Sequence, residues 1–342
     1  MGSPISETGD TMLMPFEQLQ QDLYRDLLTL NQSVWERKVP RPAIEKWLDN
    51  FLAPSADEGQ ERLHALYLLS RFIYFGEREL RELLKSLYRD LYRQPVVSAI
   101  RKRLNDTLDQ AVIDAEFKSY MASTRFVGIG GPAESGTHLL YKLRQVNVLP
   151  QGLFLTQDQI LITDATNQSV FRDPSVRHYI FVDDFCGSGE QACRYIATLI
   201  GSMRKILNSS LEQAGASSKG PLSTISYFAL VATVEGLTAL RDTGLFDLVE
   251  SVLELDDSYK CFNNESRCFR NAPAIIDKSL AKYFCRQYGE VLQPGQGLGF
   301  RHGQLLIGTC LNVPDNTLPI IWSDSLAPPW EPIFRRFQKQ NP

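Results

Sequence analysis

The stretch "HYIFVDDFCGSGEQACRYIATLI", His178 to Ile200, decides how the chain is read. Tyr179–Val182 have the apolar, β-branched and aromatic density of a buried strand. Asp183 and Asp184 end that run; Gly187, Ser188 and Gly189 follow, and a helical pattern takes over from Glu190 and Gln191. Acids that close a buried strand stand at the mouth of its sheet. Neighbours on an extended backbone face opposite sides, so the two acids need not address a ligand equally. Carboxylates accept hydrogen bonds from a diol, such as the 2′ and 3′ hydroxyls of a ribose, and one can act through a hydrated divalent cation. Gly187 and Gly189 permit a tight turn, and Ser188 with Gln191 has the Ser-x-x-Gln spacing of a capping box. Amides of such a turn and of the first helical turn form an anion site, each helix-end interaction contributing about 0.3–1 kcal/mol. Diol acceptors followed by an amide cradle match a ribose 5-phosphate. A polar strand end followed by a capped helix explains the same residues without a ligand.

The flanking sequence has a consistent texture. "TRFVGIG", Thr124–Gly130, reads as a strand, followed by the glycine-rich "GGPAESG" and the helix-like "THLLYKLRQVNV". "TISYFALVAT", "LVESVLELDD" and "QLLIGTCLNV" read as further strands, with a helix over Glu235–Asp242 between the first two. Short apolar runs alternating with helices predict an α/β core with a mostly parallel sheet over residues 123–342. Such sheets bind ligands beyond the carboxyl ends of their strands, where Asp183 and Asp184 fall.

Residues 1–122 read as an all-helical module. Phe16, Leu19, Leu23, Leu27 and Leu30 recur at helical spacing, and the helical run Glu77–Gln94 is expected to stop at Pro95. Tyr67, Phe72, Tyr74, Tyr88 and Tyr92 fit helix packing better than base stacking, with solvated arginines between them. The module shows no chemistry of its own and is expected to pack on the second half or to receive a protein partner.

Bulk properties narrow the function. The 342 residues carry 36 basic and 40 acidic side chains, a net charge of -4, which gives no overall steering toward nucleic acid or an anionic membrane. No apolar stretch approaches membrane-spanning length. The opening "MGSPISETGD" lacks the basic flank and apolar core of a secretion signal. Cysteines 186, 193, 261, 268, 285 and 310 show no close metal-ligand pair, so reduced thiols and a cytoplasmic location are expected. Cys186, inside the motif, has no evident activating base and reads as a small residue supporting the loop.

No lysine follows the glycines, which excludes a nucleoside triphosphatase loop. The acids precede the glycines, unlike a dinucleotide fingerprint. "YIFVDDFCGSGEQA" instead resembles the phosphoribosyl-pyrophosphate motif of type I phosphoribosyltransferases. That resemblance implies that Asp183 and Asp184 hold the ribose hydroxyls and a Mg²⁺ ion, and that Gly187, Ser188, Gly189, Glu190 and Gln191 cradle the 5-phosphate. "VGIGGPAESG" looks like the family's pyrophosphate loop, with Ser135 and Gly136 its best candidates and Lys142 and Arg144 as electrostatic support. The fuller pattern, residues 120–335, is similar to phosphoribosyltransferase-like domains of bacterial conflict and defence systems, in which a segment like "NVPDNTLPIIW" closes the domain.

The implied fold is the type I phosphoribosyltransferase sheet behind a helical module, and the implied ligand is 5-phosphoribosyl pyrophosphate or a related ribose phosphate. Transfer of the phosphoribosyl group to an acceptor is one reading. A catalytically weak nucleotide-binding or signalling module is another, and a toxin or hydrolase acting on a ribose phosphate is a third. Glu190 adds a negative charge beside the cradle, Gln191 replaces a common threonine, and Gly187 stands where some members carry an acid. Trp322, Asn316, Arg301, His302 and the loop after Asp256 are candidates for an acceptor pocket, each with a purely structural alternative.

Overall fold

Four of the apolar runs and one short edge strand assemble into one parallel sheet in the computed structural model, which describes residues 15–51, 58–130, 135–214, 223–326 and 329–336. The strands are β1 (Thr124–Gly128), β2 (Phe154–Leu155), β3 (His178–Cys186), β4 (Thr224–Thr233) and β5 (Leu248–Leu255). Their order is β2-β1-β3-β4-β5, and every neighbouring pair is parallel. The α/β class and parallel sheet expected from the sequence are present. The two-residue edge strand β2 carries no readable pattern of its own. "QLLIGTCLNV" lies outside this sheet and contributes only a three-residue strand, Ile307–Thr309, because a short apolar run does not reveal which sheet it will join.

A parallel sheet needs helices on both faces. On one face, Tyr179, Phe181, Ile225 and Tyr227 pack with Ala192, Ile196 and Ile200 of the Glu190–Ala214 helix and with Leu237 and Leu240 of the Val234–Asp242 helix. Helical segments before β1 supply further cover. Tyr92 sets its ring edge-to-face on Phe126 at 5.2 Å and donates its hydroxyl to Thr124 Oγ1 at 3.1 Å. Tyr120 stacks on His178 at 4.0 Å. Burial beside Arg177 pushes His178 down to about 4, so this ring is neutral at physiological pH.

This packing explains where the chain divides. Among the described residues, one compact unit takes the chain up to Tyr74, Lys260–Gly308 and Asp315–Arg336; the other takes Phe75–Tyr259 and Thr309–Pro314. The division thus differs from the boundary expected between residues 122 and 123. The helices Glu77–Ser86, Gln94–Arg103 and Gln110–Ala122 group with the sheet, whose apolar surface needs such cover. The break expected at Pro95 is also absent. A π-helical turn over Leu87–Arg93 leads directly into Gln94–Arg103, and the Gln94 amide bonds back to the Arg89 carbonyl. That wider turn rearranges the backbone bonding beside Pro95, which has no N–H to offer.

The other unit combines helices Pro15–Ser33, Arg41–Leu48, Glu58–Ser70 and Lys278–Leu292. Phe51 meets Trp47, Phe284, Tyr288 and Trp330 edge-to-face at 5.0–5.7 Å. Trp47 Nε1 donates to the Ile320 carbonyl at 2.8 Å, tying the end of the chain into this core. Tyr67, Phe72 and Tyr74 are buried here, consistent with packing rather than base stacking. Among the described residues, no helix is long and apolar enough to cross a membrane.

Candidate functional site

Strand order determines where a ligand can enter. The chain passes from β1 to β2 on one side, then returns to place β3 on the other side of β1. The βα connections after β1 and β3 therefore diverge, opening a crevice at the carboxyl ends of these two strands. β1 ends at Gly128, and the Ile129 amide continues the pairing by donating to the Val182 carbonyl at 3.1 Å. Asp183 and Asp184 follow immediately on β3. The helices Ser135–Val146 and Glu190–Ala214 both begin at this edge, each with first-turn amides that lack intrahelical acceptors.

The two acids are held differently. Asp183 is half-buried; its Oδ2 accepts from the Tyr227 hydroxyl at 2.9 Å, and its Oδ1 accepts from the Asp184 amide at 3.0 Å. Asp184 is also half-buried, and its Oδ1 accepts from the Phe185 amide at 3.1 Å. Tyr227 is fully buried, and its phenol is raised well above its ordinary value, first by burial and then by the Asp183 charge. It therefore remains a donor at every physiological pH. Burial likewise pushes the Cys186 thiol up to about 12, so this cysteine supports the loop rather than acting as a nucleophile.

The turn after β3 is built by close backbone approach. Gly189 has φ +76, in the left-handed region that favours glycine. The Gly187 carbonyl accepts from Thr233 Oγ1 at 2.6 Å, while the same hydroxyl caps the next helix by accepting from the Gly236 amide at 2.9 Å. A Cβ on Gly236 would lie 2.1 Å from that Gly187 carbonyl oxygen. The Glu190 amide points to Ser188 Oγ at 3.4 Å, while the helix begins at Glu190, one residue later than a Ser188–Gln191 capping box requires. Glu190 is half-buried and Gln191 is exposed.

The loop after β1 follows the same principle. Gly130 has φ +107, and a Cβ on Gly136 would stand 2.2 Å from the Ile129 carbonyl oxygen. Gly136 therefore lets the helix start close against the strand end. Residues 131–134 and the Ser135 side chain lie outside the described residues. Lys142 is paired with Glu77, whose carboxyl this lysine holds below the usual range, and Arg144 is half-buried on the same helix.

Asp183, Asp184, Gly187, Ser188, Gly189, Glu190 and Gln191 thus meet around one strand end, with Gly136 at the neighbouring one. The acceptor candidates Arg301, His302, Asn316 and Trp322 belong to the other compact unit. There Trp322 Nε1 donates to the Thr317 carbonyl at 2.8 Å, and Asn316 Nδ2 donates to the Phe300 carbonyl at 3.1 Å. These are structural contacts. Asp256 accepts from the Ser258 amide at 2.9 Å, as expected of a polar strand end.

Sequence reasoning missed Tyr227, Thr233 and Gly236. Tyr227 had a signal: one polar-tipped aromatic in an otherwise buried strand must find a partner for its hydroxyl. Thr233 and Gly236 are near in space but distant in sequence from the loop they support. A pair of half-buried carboxylates fits Mg²⁺, which keeps waters and takes remaining oxygens from a substrate phosphate. Among the described residues, no group of three His, Cys, Asp or Glu side chains forms a cage for a metal ion. Asp183 and Asp184 would thus hold the ion jointly with a phosphorylated ligand.

Comparison with known proteins agrees with the motif. The PRTase-CE family model matches residues 44–336. Among solved structures, the chain is similar to the AQ2163 protein from Aquifex aeolicus at 13% identity, with 71% of this chain and 96% of that chain covered and a TM-score of 0.26. It is also similar to orotate phosphoribosyltransferase from Aeropyrum pernix at 17% identity, with 40% and 62% covered and a TM-score of 0.22. No curated protein matches the chain. With the family model spanning most of its length and the acid pair and glycine turn in place, the chain belongs to the PRTase-CE family.

Proposed function

We propose that the chain binds 5-phosphoribosyl pyrophosphate, or a related ribose 5-phosphate, at the carboxyl edge of β1 and β3 and transfers the phosphoribosyl group to an acceptor. One observation carries this reading: an acid pair near the end of β3 is followed, two residues on, by a glycine turn and a helix start at the sheet's switch point. The acids suit the ribose hydroxyls, and the amides from Gly187 to Gln191 suit the 5-phosphate. The start of the Ser135–Val146 helix, with its free first-turn amides, suits the pyrophosphate in the same way. Mg²⁺, when bound, would neutralise pyrophosphate charge.

In the transfer, the C1–oxygen bond breaks, the electron pair leaves with pyrophosphate, and the acceptor's nucleophile bonds to C1. Orientation and preorganised donors supply the rate, a well-aimed donor contributing about 3 kcal/mol. A second reading, ligand binding without turnover, is favoured by Gly187, which offers no carboxylate near C1, and by the half-buried Glu190 beside the turn. The resemblance to conflict-system domains extends the proposal to a bacterial defence setting in the cytoplasm.

Mass spectrometry of metabolites retained by the purified chain, followed by pyrophosphate-release assays with retained and supplied acceptors, tests the proposal. Release that requires an acceptor supports transfer, and saturable binding without release supports the second reading. Sugar–phosphate cleavage without an acceptor would instead indicate a hydrolase.

A further inference from the structure

We propose that Cys261 and Cys268 form a redox-sensitive dithiol, which a peroxide converts to an intramolecular disulfide and a dithiol reductant restores. Both lie in the Lys260–Gly308 segment of the compact unit that lacks the parallel sheet, and the inference is independent of the phosphoribosyl reading.

The two cysteines flank residues 262–267, which fold back through consecutive turns. The Asn263 amide donates to the Lys260 carbonyl and the Ser266 amide to the Asn263 carbonyl, each at 3.1 Å. Both ends are fixed from outside the segment. The Cys261 amide donates to the Gln304 carbonyl at 2.7 Å, and the Cys268 carbonyl accepts the hydroxyl of buried Tyr67 at 2.6 Å. The sulfurs are thereby brought into contact, with Cys261 Sγ donating to Cys268 Sγ at 3.6 Å. A disulfide needs about 2.05 Å, so the bond requires about 1.5 Å of further approach, within the reach of side-chain rotation.

Exposure divides the chemistry between them. Cys268 is half-exposed and Cys261 is buried, so a small peroxide meets Cys268 first. The thiolate is the attacking form, and the hydrogen bond from Cys261 stabilises that charge on Cys268. The Cys268 sulfur takes one peroxide oxygen as the O–O bond breaks, giving a sulfenic acid; the released hydroxide takes up the Cys268 proton and leaves as water. The Cys261 sulfur then bonds to the sulfenic sulfur, the S–O bond breaks, and the departing hydroxide takes the Cys261 proton as a second water. Two thiols and one peroxide thus give one disulfide and two waters, the two electrons passing from sulfur to the peroxide oxygens. Burial pushes the Cys261 thiol well above its ordinary value, while the Lys278 ammonium opposes that shift and favours the thiolate that forms as the proton leaves.

Cys285 is buried on the Lys278–Leu292 helix of the same unit, but the 3.6 Å contact selects Cys261 as the partner of Cys268. Treatment of the folded full chain with hydrogen peroxide, an acid quench and alkylation under denaturing conditions test this by mass spectrometry. The alkylated thiols should fall from six to four, and dithiothreitol before alkylation should restore all six. Lys260 and Arg267 precede the two cysteines, so trypsin without reduction should release residues 261–267 joined to residues 268–270. Six alkylated thiols after peroxide, or a link from Cys268 to Cys285, would overturn the proposal.

Cys261→Ser, Cys261→Ala and Cys285→Ser then identify the thiol that closes the bond. Without Cys261, Cys268 should accumulate as sulfenic acid, trapped by dimedone, and pass on to sulfinic acid. Two Cys261 variants are used because the position is buried, and the wild-type mapping stands without either. Cys285→Ser should form the 261–268 link at the wild-type rate. Dimedone trapping in the wild type equal to that in a folded Cys261 variant, or loss of the link in folded Cys285→Ser, would overturn the proposal.

Discussion

Gly236→Ala offers a direct test of how the turn is supported. Gly236 is a buried residue in the first turn of the Val234–Asp242 helix. An added Cβ would stand 2.1 Å from the Gly187 carbonyl oxygen, 2.9 Å from its carbon and 3.1 Å from Cys186 Sγ. Favourable carbon contacts lie near about 3.5–4 Å, so the backbone must yield by more than about 1 Å. The obstacle is a main-chain carbonyl fixed by Thr233, not the end of a flexible side chain.

Alanine's helix preference would by itself stabilise by up to about 1 kcal/mol. Overpacking costs about 1–3 kcal/mol, and loss of the Thr233 hydrogen bond adds about 1 kcal/mol. The clash wins, with a net loss of about 2 kcal/mol. For a unit of this size, that corresponds to a fall in Tm of about 4–8 °C. Gly201→Ala is the matched control: it lies in the Glu190–Ala214 helix with nothing within 4 Å of its added Cβ. It should leave Tm unchanged or raise it. Calorimetric or circular-dichroism melts in which Gly236→Ala equals or exceeds the wild type would refute the packing argument.

Two further predictions concern titratable groups. His64 is buried, and its Nε2 accepts the Asp277 amide at 2.7 Å, which requires a neutral ring with its proton on Nδ1, facing the Gln60 carbonyl at 2.6 Å. Burial holds its pKa below 6.5, so its contribution to stability is complete above that value and is lost as pH falls below it. His178, pushed down to about 4, adds a contribution of the same sign between about 6.5 and 4. Melts at pH 7.5 and 5.5 should show a smaller acid loss for His64→Gln than for the wild type; equal losses would contradict the assignment. Alkylation at pH 8 followed by mass spectrometry should label half-exposed Cys310 well before buried Cys186, and comparable rates would refute the inert role of Cys186.

The strand–acid–glycine series was legible because one local segment contains the whole pattern: Tyr179–Val182 bury, the acids follow, and the glycines turn into a helix, although the strand runs on past the acids to Cys186. β1, β4 and β5 were legible for the same reason. The support for the turn was not, because Tyr227, Thr233 and Gly236 are brought to it only by parallel pairing of β3 with β4. The unit boundary depended on which helices cover the sheet, information absent from helical periodicity alone. "QLLIGTCLNV" had the composition of a core strand, but composition does not specify a pairing partner.

Isothermal titration of phosphoribosyl pyrophosphate in the presence of Mg²⁺ tests the central claim most directly, with the wild type beside Asp184→Asn and the double variant Asp183→Asn/Asp184→Asn. The account predicts saturable one-site binding by the wild type, a loss of at least about tenfold with Asp184→Asn, and no measurable binding by the folded double variant. Affinity unchanged in the folded double variant would contradict the assignment of this strand end as the ribose-phosphate site.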